Sequence, residues 1–410
     1  MNKISISIKN ILSVIGCLFM MTGCVEEYEA ELPESETHLL VVNGTISSGY
    51  SQFHLSWSEP LEKANKGKDR KSYSIEDVKP VEHAVVTIHG TDGSEYKCTD
   101  DAAEYGYPTG IYSCYMPMLN PDVSYYVIIK CNEGTYRSTP EKPIRTPDIE
   151  ALEYFQKDSL SDVEVLLTTA DPDNPDKTSY FTWDYKETWE IRPTRTTFIY
   201  FDIETMTRQY MTKDRQYPKR GWKFGRNEII LAGSTIHYAG GRMSKYQLLD
   251  IPRDDERVSW YYCFDLTQRA ISRAEYEYEL ACRQAGWEMG GLFTPQPSSF
   301  PTNIRCTTSS NRVIGYVGCS LNTIWTRMYI DCTKISRILP KPNKLKKLDD
   351  CQEVDCMRLT QEGKVLYDWN DGRKAMLPLV TIWGEPEDFD VRMRGATTEK
   401  PYYMPPFDEE

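Results

Sequence analysis

The sequence predicts a mainly β protein that carries one long helix. Apolar and polar residues alternate in short runs, as in Phe53, Leu55 and Trp57 and again in Phe181, Trp183 and Tyr185. That period of two marks half-buried strands. Clusters of Gly, Pro, Asn and Asp separate the runs at intervals suited to an all-β fold. Aromatic residues make up 12% of the chain, led by 28 tyrosines, which is too much apolar surface for a disordered polypeptide and favours strands.

The first 37 residues stand apart from this pattern. Lys3 and Lys9 precede an apolar run over residues 11–21, the layout of a secretory leader. The run is too short to span a bilayer, which takes roughly 20 apolar residues. Two stretches end in a small pair and a cysteine, as a bacterial lipoprotein signal does: Val14-Ile15-Gly16-Cys17 and Met21-Thr22-Gly23-Cys24. Choosing Cys17 would waste half of the apolar run and leave Leu18-Phe19-Met20-Met21 at the mature start. Cys24 uses the whole run, so residues 1–23 are the expected leader and Cys24 the lipidated residue. Acyl chains on Cys24 anchor a protein firmly, at about 0.8 kcal/mol per buried CH₂, which makes the membrane itself the first expected partner. Residues 24–37, with Glu26, Glu27, Glu29, Glu31, Glu34 and Glu36, read as a solvated acidic tether.

Removing Lys3 and Lys9 with the leader makes the formal charge more negative than the −13 of the whole chain. Nucleic acid is excluded as a partner on that ground, since phosphates call for a basic face.

Residues 38–147 read as five to seven short strands in a β-sandwich. The first is LLVVNGTIS, the second holds Phe53, Leu55 and Trp57, and a third runs through Ala84-Val85-Val86-Thr87-Ile88. Asp92-Gly93 is a hairpin turn, and residues 111–115 and 124–131 supply two further strands. The order of these pieces is similar to transthyretin-like or fibronectin-like modules. Pro140, Pro143 and Pro147 then mark a stiff linker.

A second β-rich domain is expected over residues 148–380. Val163, Val165 and Leu167 alternate, then Phe181 to Tyr185, then Thr197, Ile199, Phe201 and Ile203. Residues 208–226 are polar and basic and read as an exposed loop or hairpin. The helix is expected over 258–285, where Phe264, Ile271, Ala274, Tyr278, Ala281 and Ala285 fall on one face at three- and four-residue steps. Asp265 with Gln268 would box its start and Gly286 would cap its end. Residues 381–410 read as a Pro- and acid-rich C-terminal tail.

Setting aside Cys17 and Cys24 leaves ten cysteines in a compartment that permits disulfides. Cys98 and Cys114 lie on adjacent predicted strands, and Cys351 and Cys356 could close a small loop; each pair is open to a disulfide or to two free thiols. No Cys/His spacing typical of zinc occurs, so neither metal nor cofactor is expected.

LLVVNGTIS, TSYFTWDYKETWE and above all GGLFTPQPSSFPTNIRC ahead of VIGYVGCS resemble the Bacteroidota lipoprotein family called domain of unknown function 4249. The resemblance implies an outer-membrane lipoprotein, often encoded beside TonB-dependent receptors. Its acidic tether resembles the export signal that sends such lipoproteins to the cell exterior. It implies an accessory role in uptake and carries over no catalytic residue. The family tail sets cysteines before a Gly-Gly-Thr-Thr-x-Lys-Pro stretch. This chain keeps Gly395, Thr397, Thr398, Lys400 and Pro401 but has no cysteine nearby, and Cys351 and Cys356 are the nearest substitutes.

Other motifs favour structure over chemistry. The five histidines show neither HExxH nor a nucleophile signature, and there is no G-x-S-x-G elbow. Asp171, Asp173, Asn174 and Asp176 form a turn cluster without the glycine and glutamate of a calcium loop. Glu187 and Glu190 flank Trp189, a superficial likeness to a glycosidase pair. On a strand, however, their side chains point to opposite faces, so they read as residues of a solvated strand. Trp183, Trp189, Trp222, Trp287 and Trp325 read mostly as core rather than as a sugar platform. The expected function is therefore non-enzymatic: a surface-exposed lipoprotein beside a TonB-dependent β-barrel receptor, with Leu292, Phe293, Pro295, Pro297 and Phe300 as its interaction loop. A glycan- or host-binding adhesin is the alternative, with a hydrolase behind it. The first would show exposed tryptophans lining a groove, the second ionisable groups converging in a pocket.

Overall fold

In the computed structural model, which describes residues 39–58, 79–106, 108–227, 229–287, 301–370 and 380–405, two sheets face each other across the first core. One places β20 (Val313–Ser320), β1 (Leu40–Ser47), β2 (Gly49–Trp57), β7 (Ile111–Met116) and β6 (Thr99–Asp100) side by side in that order, with β3 (Lys79–Pro80) against β2. The other runs β19 (Ile304–Cys306), β9 (Gly134–Ser138), β8 (Tyr125–Cys131), β4 (Val85–Gly90) and β5 (Glu95–Lys97). Alternate residues Leu40, Val42, Phe53, Leu55, Val86, Ile88, Val127 and Ile129 point inward and are buried together. Asp92-Gly93 makes the expected turn, with Gly93 at φ 88° and the Ser94 N–H donating to Asp92 Oδ1 at 3.0 Å. A one-turn helix, α1 (Asp101–Tyr105), precedes β7.

This is the sandwich expected over 38–147, but two of its strands come from much later in the chain. β20 lies parallel to β1 over eight residue pairs, from Leu40↔Val313 to Ser47↔Ser320, and β19 pairs antiparallel with β9. Each sheet is thus edged by a late strand, and Ile304, Val313, Val317 and Cys319 belong to the sandwich core. The long insert between β9 and β19, completed by a strand that follows β20, forms the second unit.

That unit has a three-stranded sheet of β10 (Ile149–Phe155), β11 (Val163–Ala170) and β17 (Arg242–Ile251). It packs on a larger one of β15 (Gly221–Arg226), β12 (Tyr180–Ile191), β18 (Tyr261–Ile271) and β21 (Ile324–Asp331), with β16 (Leu231–Ser234) also on β12. Phe181, Trp183, Tyr262, Phe264, Leu266 and Ile330 form the core between them with Val163, Val165 and Leu167. Gln268 is fully buried and satisfied: its carbonyl accepts from Trp183 Nε1 at 3.0 Å, and its amide donates to Pro147 O and Thr169 Oγ1.

The helix expected over 258–285 needs correction. Residues 261–271 are strand β18, and helix α2 spans Arg273–Trp287. The apolar residues of this stretch fit two periods at once. Tyr262, Phe264, Leu266, Gln268 and Ala270 alternate inward, and pairing on both sides with β12 and β21 selects the strand. The true helix start was legible in Ser272-Arg273-Ala274-Glu275, a capping-box sequence; the Ser272 hydroxyl accepts from the Glu275 N–H at 3.1 Å. Gly286 lies inside the helix rather than beyond it.

The proline linker is fastened at its end instead of swinging free. Ile144 bridges to Ser320, and the Thr146 N–H donates to Asn322 Oδ1 at 2.9 Å. The Thr146 hydroxyl accepts from the Ala270 N–H at 3.0 Å.

A third, smaller core gathers Phe201, Leu359, Leu366 and Trp383 with Cys351 and Cys356. Its elements are the hairpin β13 (Ile199–Asp202) and β14 (Thr207–Tyr210), helix α3 (Glu353–Gln361), and a sheet of β22 (Lys346–Leu348), β24 (Val380–Gly384) and β23 (Val365–Asn370). The stretch read as a tail from 381 therefore includes most of a strand, and its Tyr403 and Met404 pack on the large sheet.

Gly315 is the tightest point of the β1–β20 contact. Its φ is +129°, and a Cβ there would lie 1.9 Å from Val42 O. Gly315→Ala is expected to destabilise the fold by about 4 kcal/mol, read as a lowered midpoint in chemical denaturation.

Candidate functional site

The two faces of the large sheet differ in character. Strand alternation sends Trp183, Tyr185, Tyr262 and Phe264 inward and puts Asp184, Lys186, Thr188, Asp265, Thr267, Trp325, Arg327 and Tyr329 on the other side. Register brings Asp265 opposite Arg327 and Thr267 opposite Trp325. The Arg327 guanidinium donates to Asp265 Oδ2 at 2.8 Å and stands 4.3 Å from the Tyr403 ring centre and 5.0 Å from that of Trp325. Its hydrogen bonds to Asp265 hold its pKa above the usual arginine range, so it is a fixed positive charge in a frame of rings. Trp325 is 57%, Tyr329 41% and Phe224 58% exposed.

The C-terminal segment covers part of this face. Met404 packs on Trp222 and Cys263, and burial pushes the Cys263 thiol up to about 12. Tyr403 Oη and Thr188 Oγ1 are 2.8 Å apart, and Tyr329 Oη donates to Tyr403 O at 2.5 Å. The face is thus built of two parts: an aromatic and charged half open to solvent, and a half covered by Tyr403 and Met404.

Glu187 and Glu190 point to opposite faces as expected, but neither is solvated; both are buried. Glu187 accepts from Arg257 at 2.9 Å and from Tyr262 Oη, and Glu190 accepts from Arg192 Nε at 2.7 Å. Strand alternation cannot show that arginines from outside the strand cover both sides. Nearby, Glu256 accepts from Lys223 at 2.8 Å, Arg394 at 2.5 Å and Trp189 Nε1 at 3.2 Å. Burial opposes its charge, yet these bonds prevail and hold the carboxyl below its usual range. Each of these three carboxylates is held in an ion pair.

Another carboxylate cluster lies where α2 meets the sandwich. Arg269 Nη1 contacts Glu275 Oε1 at 2.7 Å, and Glu141 accepts from Asn303 at 3.2 Å and from Tyr316 Oη. Burial and then the Glu275 charge push Glu279 up to about 7, while Arg269 pulls the other way. None of the described cavities is lined by these groups.

Among the described residues, no group of three or more His, Cys, Asp or Glu is arranged to hold a metal ion, and no helix is long and apolar enough to cross a membrane. Of the tryptophans singled out in the sequence, Trp183 and Trp222 are buried and Trp325 is exposed; the Trp287 side chain lies outside the description. Cys24 and the loop residues Leu292, Phe293, Pro295, Pro297 and Phe300 also lie outside the described residues. Cys98 and Cys114 come together beside the β6–β7 pair, with their thiols in hydrogen-bond contact. Cys351 Sγ and Cys356 Sγ are 3.2 Å apart.

The family described as domain of unknown function 4249 matches residues 25–323. This chain belongs to that family. The match takes in the sandwich with both of its late strands, most of the large sheet and the β13–β14 hairpin, and it ends before β21 and the later elements of the third core. No curated protein matches the chain.

The joint cluster makes a pH prediction for this family member. Between the ordinary glutamate value of 4.5 and about 7, folded Glu279 keeps a proton that the unfolded chain has lost. Stability therefore falls as pH rises through that window, and the penalty is complete above it. Glu279→Gln is expected to raise Tm by about 2 °C near pH 8, with the gain vanishing near pH 4 in calorimetric scans.

Proposed function

We propose that this protein is a surface-exposed lipoprotein of the outer membrane, anchored through acyl chains on Cys24, that works without catalysis as a binding or accessory partner of a TonB-dependent transport system. The observation that carries the binding role is the open half of the large sheet. Trp325 and Tyr329 stay solvent-facing there, on a sheet whose Arg327 is locked by Asp265 and three rings. Aromatic residues and arginine held rigid before contact are the usual anchors of protein interfaces. The paired state of Glu187, Glu190 and Glu256 supports a role outside catalysis. Support for the anchor comes from the leader pattern and from a family match that opens at Val25, directly after Cys24.

An adhesin reading draws on the exposure of Trp325, since a flat ring stacks on sugars as well as on protein. It has less behind it: among the described residues, Trp325 is the exposed tryptophan, and one ring does not line a groove.

Crosslinking in intact cells separates the readings. The wild-type chain is expected to capture an outer-membrane β-barrel, and a Trp325→Ala/Tyr329→Ala double variant is expected to lose most of that capture at unchanged abundance. Cys24→Ser is expected to release the protein from the membrane fraction. Capture of no β-barrel, with retention on a glycan array that the double variant abolishes, would favour the adhesin.

A further inference from the structure

Helix α3 begins with Gln352 as its N-cap, and the Gln352 N–H donates to Asp355 Oδ2 at 3.2 Å. This is the return bond of a capping box. In many helices such a box is flanked by a hydrophobic staple, a contact between the residue before the cap and the fourth residue of the helix. Counting from Gln352, those two positions are Cys351 and Cys356. Their Sγ atoms, free thiols in this structure, are 3.2 Å apart, against roughly 2.0 Å in a disulfide. Both are buried, at 4% and 0% exposure, in the core of Phe201, Leu359, Leu366 and Trp383. The buried cysteines Cys98, Cys319, Cys332 and Cys263 sit in other cores, so each of these two thiols has the other as its neighbour.

We infer that Cys351 and Cys356 form a disulfide, which turns the staple of α3 into a covalent one. A small core gains most from such a bond, because its own burial is modest. The chemistry is thiol–disulfide exchange with an external disulfide, either a thiol oxidoreductase or oxidised glutathione. One thiolate attacks a sulfur of that disulfide and displaces one of its thiols; the second thiolate then attacks the mixed disulfide and displaces the other. The chain loses two protons and two electrons, and the external disulfide leaves as two thiols. Burial raises the Cys356 thiol well above its ordinary range, and only thiolates attack. Exchange therefore precedes packing of the helix, and the packed core then shields the bond from reductants.

In the cell this bond rests on the export proposed above, because the cytosol keeps thiols reduced. Two arms keep the two claims separate. In the first, the full chain is refolded with excess oxidised glutathione, quenched with iodoacetamide and digested with trypsin. Both cysteines fall in one peptide, residues 348–358. That peptide is expected to be lighter by two hydrogens, with its alkylation at least about tenfold below that of a reduced control. Full alkylation of both cysteines, or linkage of Cys351 to a different cysteine, would overturn the inference. In the second arm the protein is taken from its native membrane with the quench already present. A linked peptide there supports both claims. A fully alkylated one, beside a linked refolded sample, overturns export and leaves the pairing standing.

Discussion

The parallel contact of β1 with β20 holds the architecture together. It joins the first strand of the sandwich to one that follows the whole central insert, along a continuous register of eight pairs. The backbones come so close that residue 315 has no room for a side chain. β19 repeats the device on the opposite sheet by pairing with β9. The sandwich is closed only when residues 304–320 arrive, and the chain enters the large sheet as β21 immediately afterwards. Sandwich and central unit are therefore interlocked, unlike two beads on a linker.

Polar contacts reinforce this interlock at the crossing point. Thr146, Ile144 and Asn322 fasten the end of the proline linker, and Gln268 ties both central sheets to Pro147. Buried polar groups that are fully satisfied specify one arrangement, because any other leaves them unpaired. The rigidity reaches the large sheet, whose open half keeps Arg327 in its frame of rings. A binding face on such a support loses little conformational freedom on contact.

Much of the β architecture was legible in local pattern. Phe53, Leu55 and Trp57, or Phe181, Trp183 and Tyr185, show alternation that nothing nearby contradicts, and Asp92-Gly93 declares its own turn. Reading failed where the deciding partner lies far along the chain. No pattern within LLVVNGTIS points to VIGYVGCS as its neighbour, so the sandwich looked complete at residue 147. Tyr262 to Ala270 fit both a strand and a helix, and two flanking strands made the choice, although Ser272 and Glu275 did signal the boundary. The same reason hid the site: Trp325 and Tyr329 alternate like core residues, and only their exposure among the described residues shows the difference. Glu187 looked solvated because the arginine that covers it, Arg257, comes from another segment, and Glu190 because Arg192 and the distant Arg220 close over it.

The interlock is tested most directly by cutting it. The Thr139 N–H donates to Asn303 O at 2.7 Å, so a short linker can join residues 39–141 to 301–320 without the insert. That joined chain should unfold in one cooperative transition and give a dispersed amide spectrum, while residues 39–147 alone should show neither. Cooperative unfolding of residues 39–147 by themselves would contradict the account, because it would mean that the sandwich closes without its late strands.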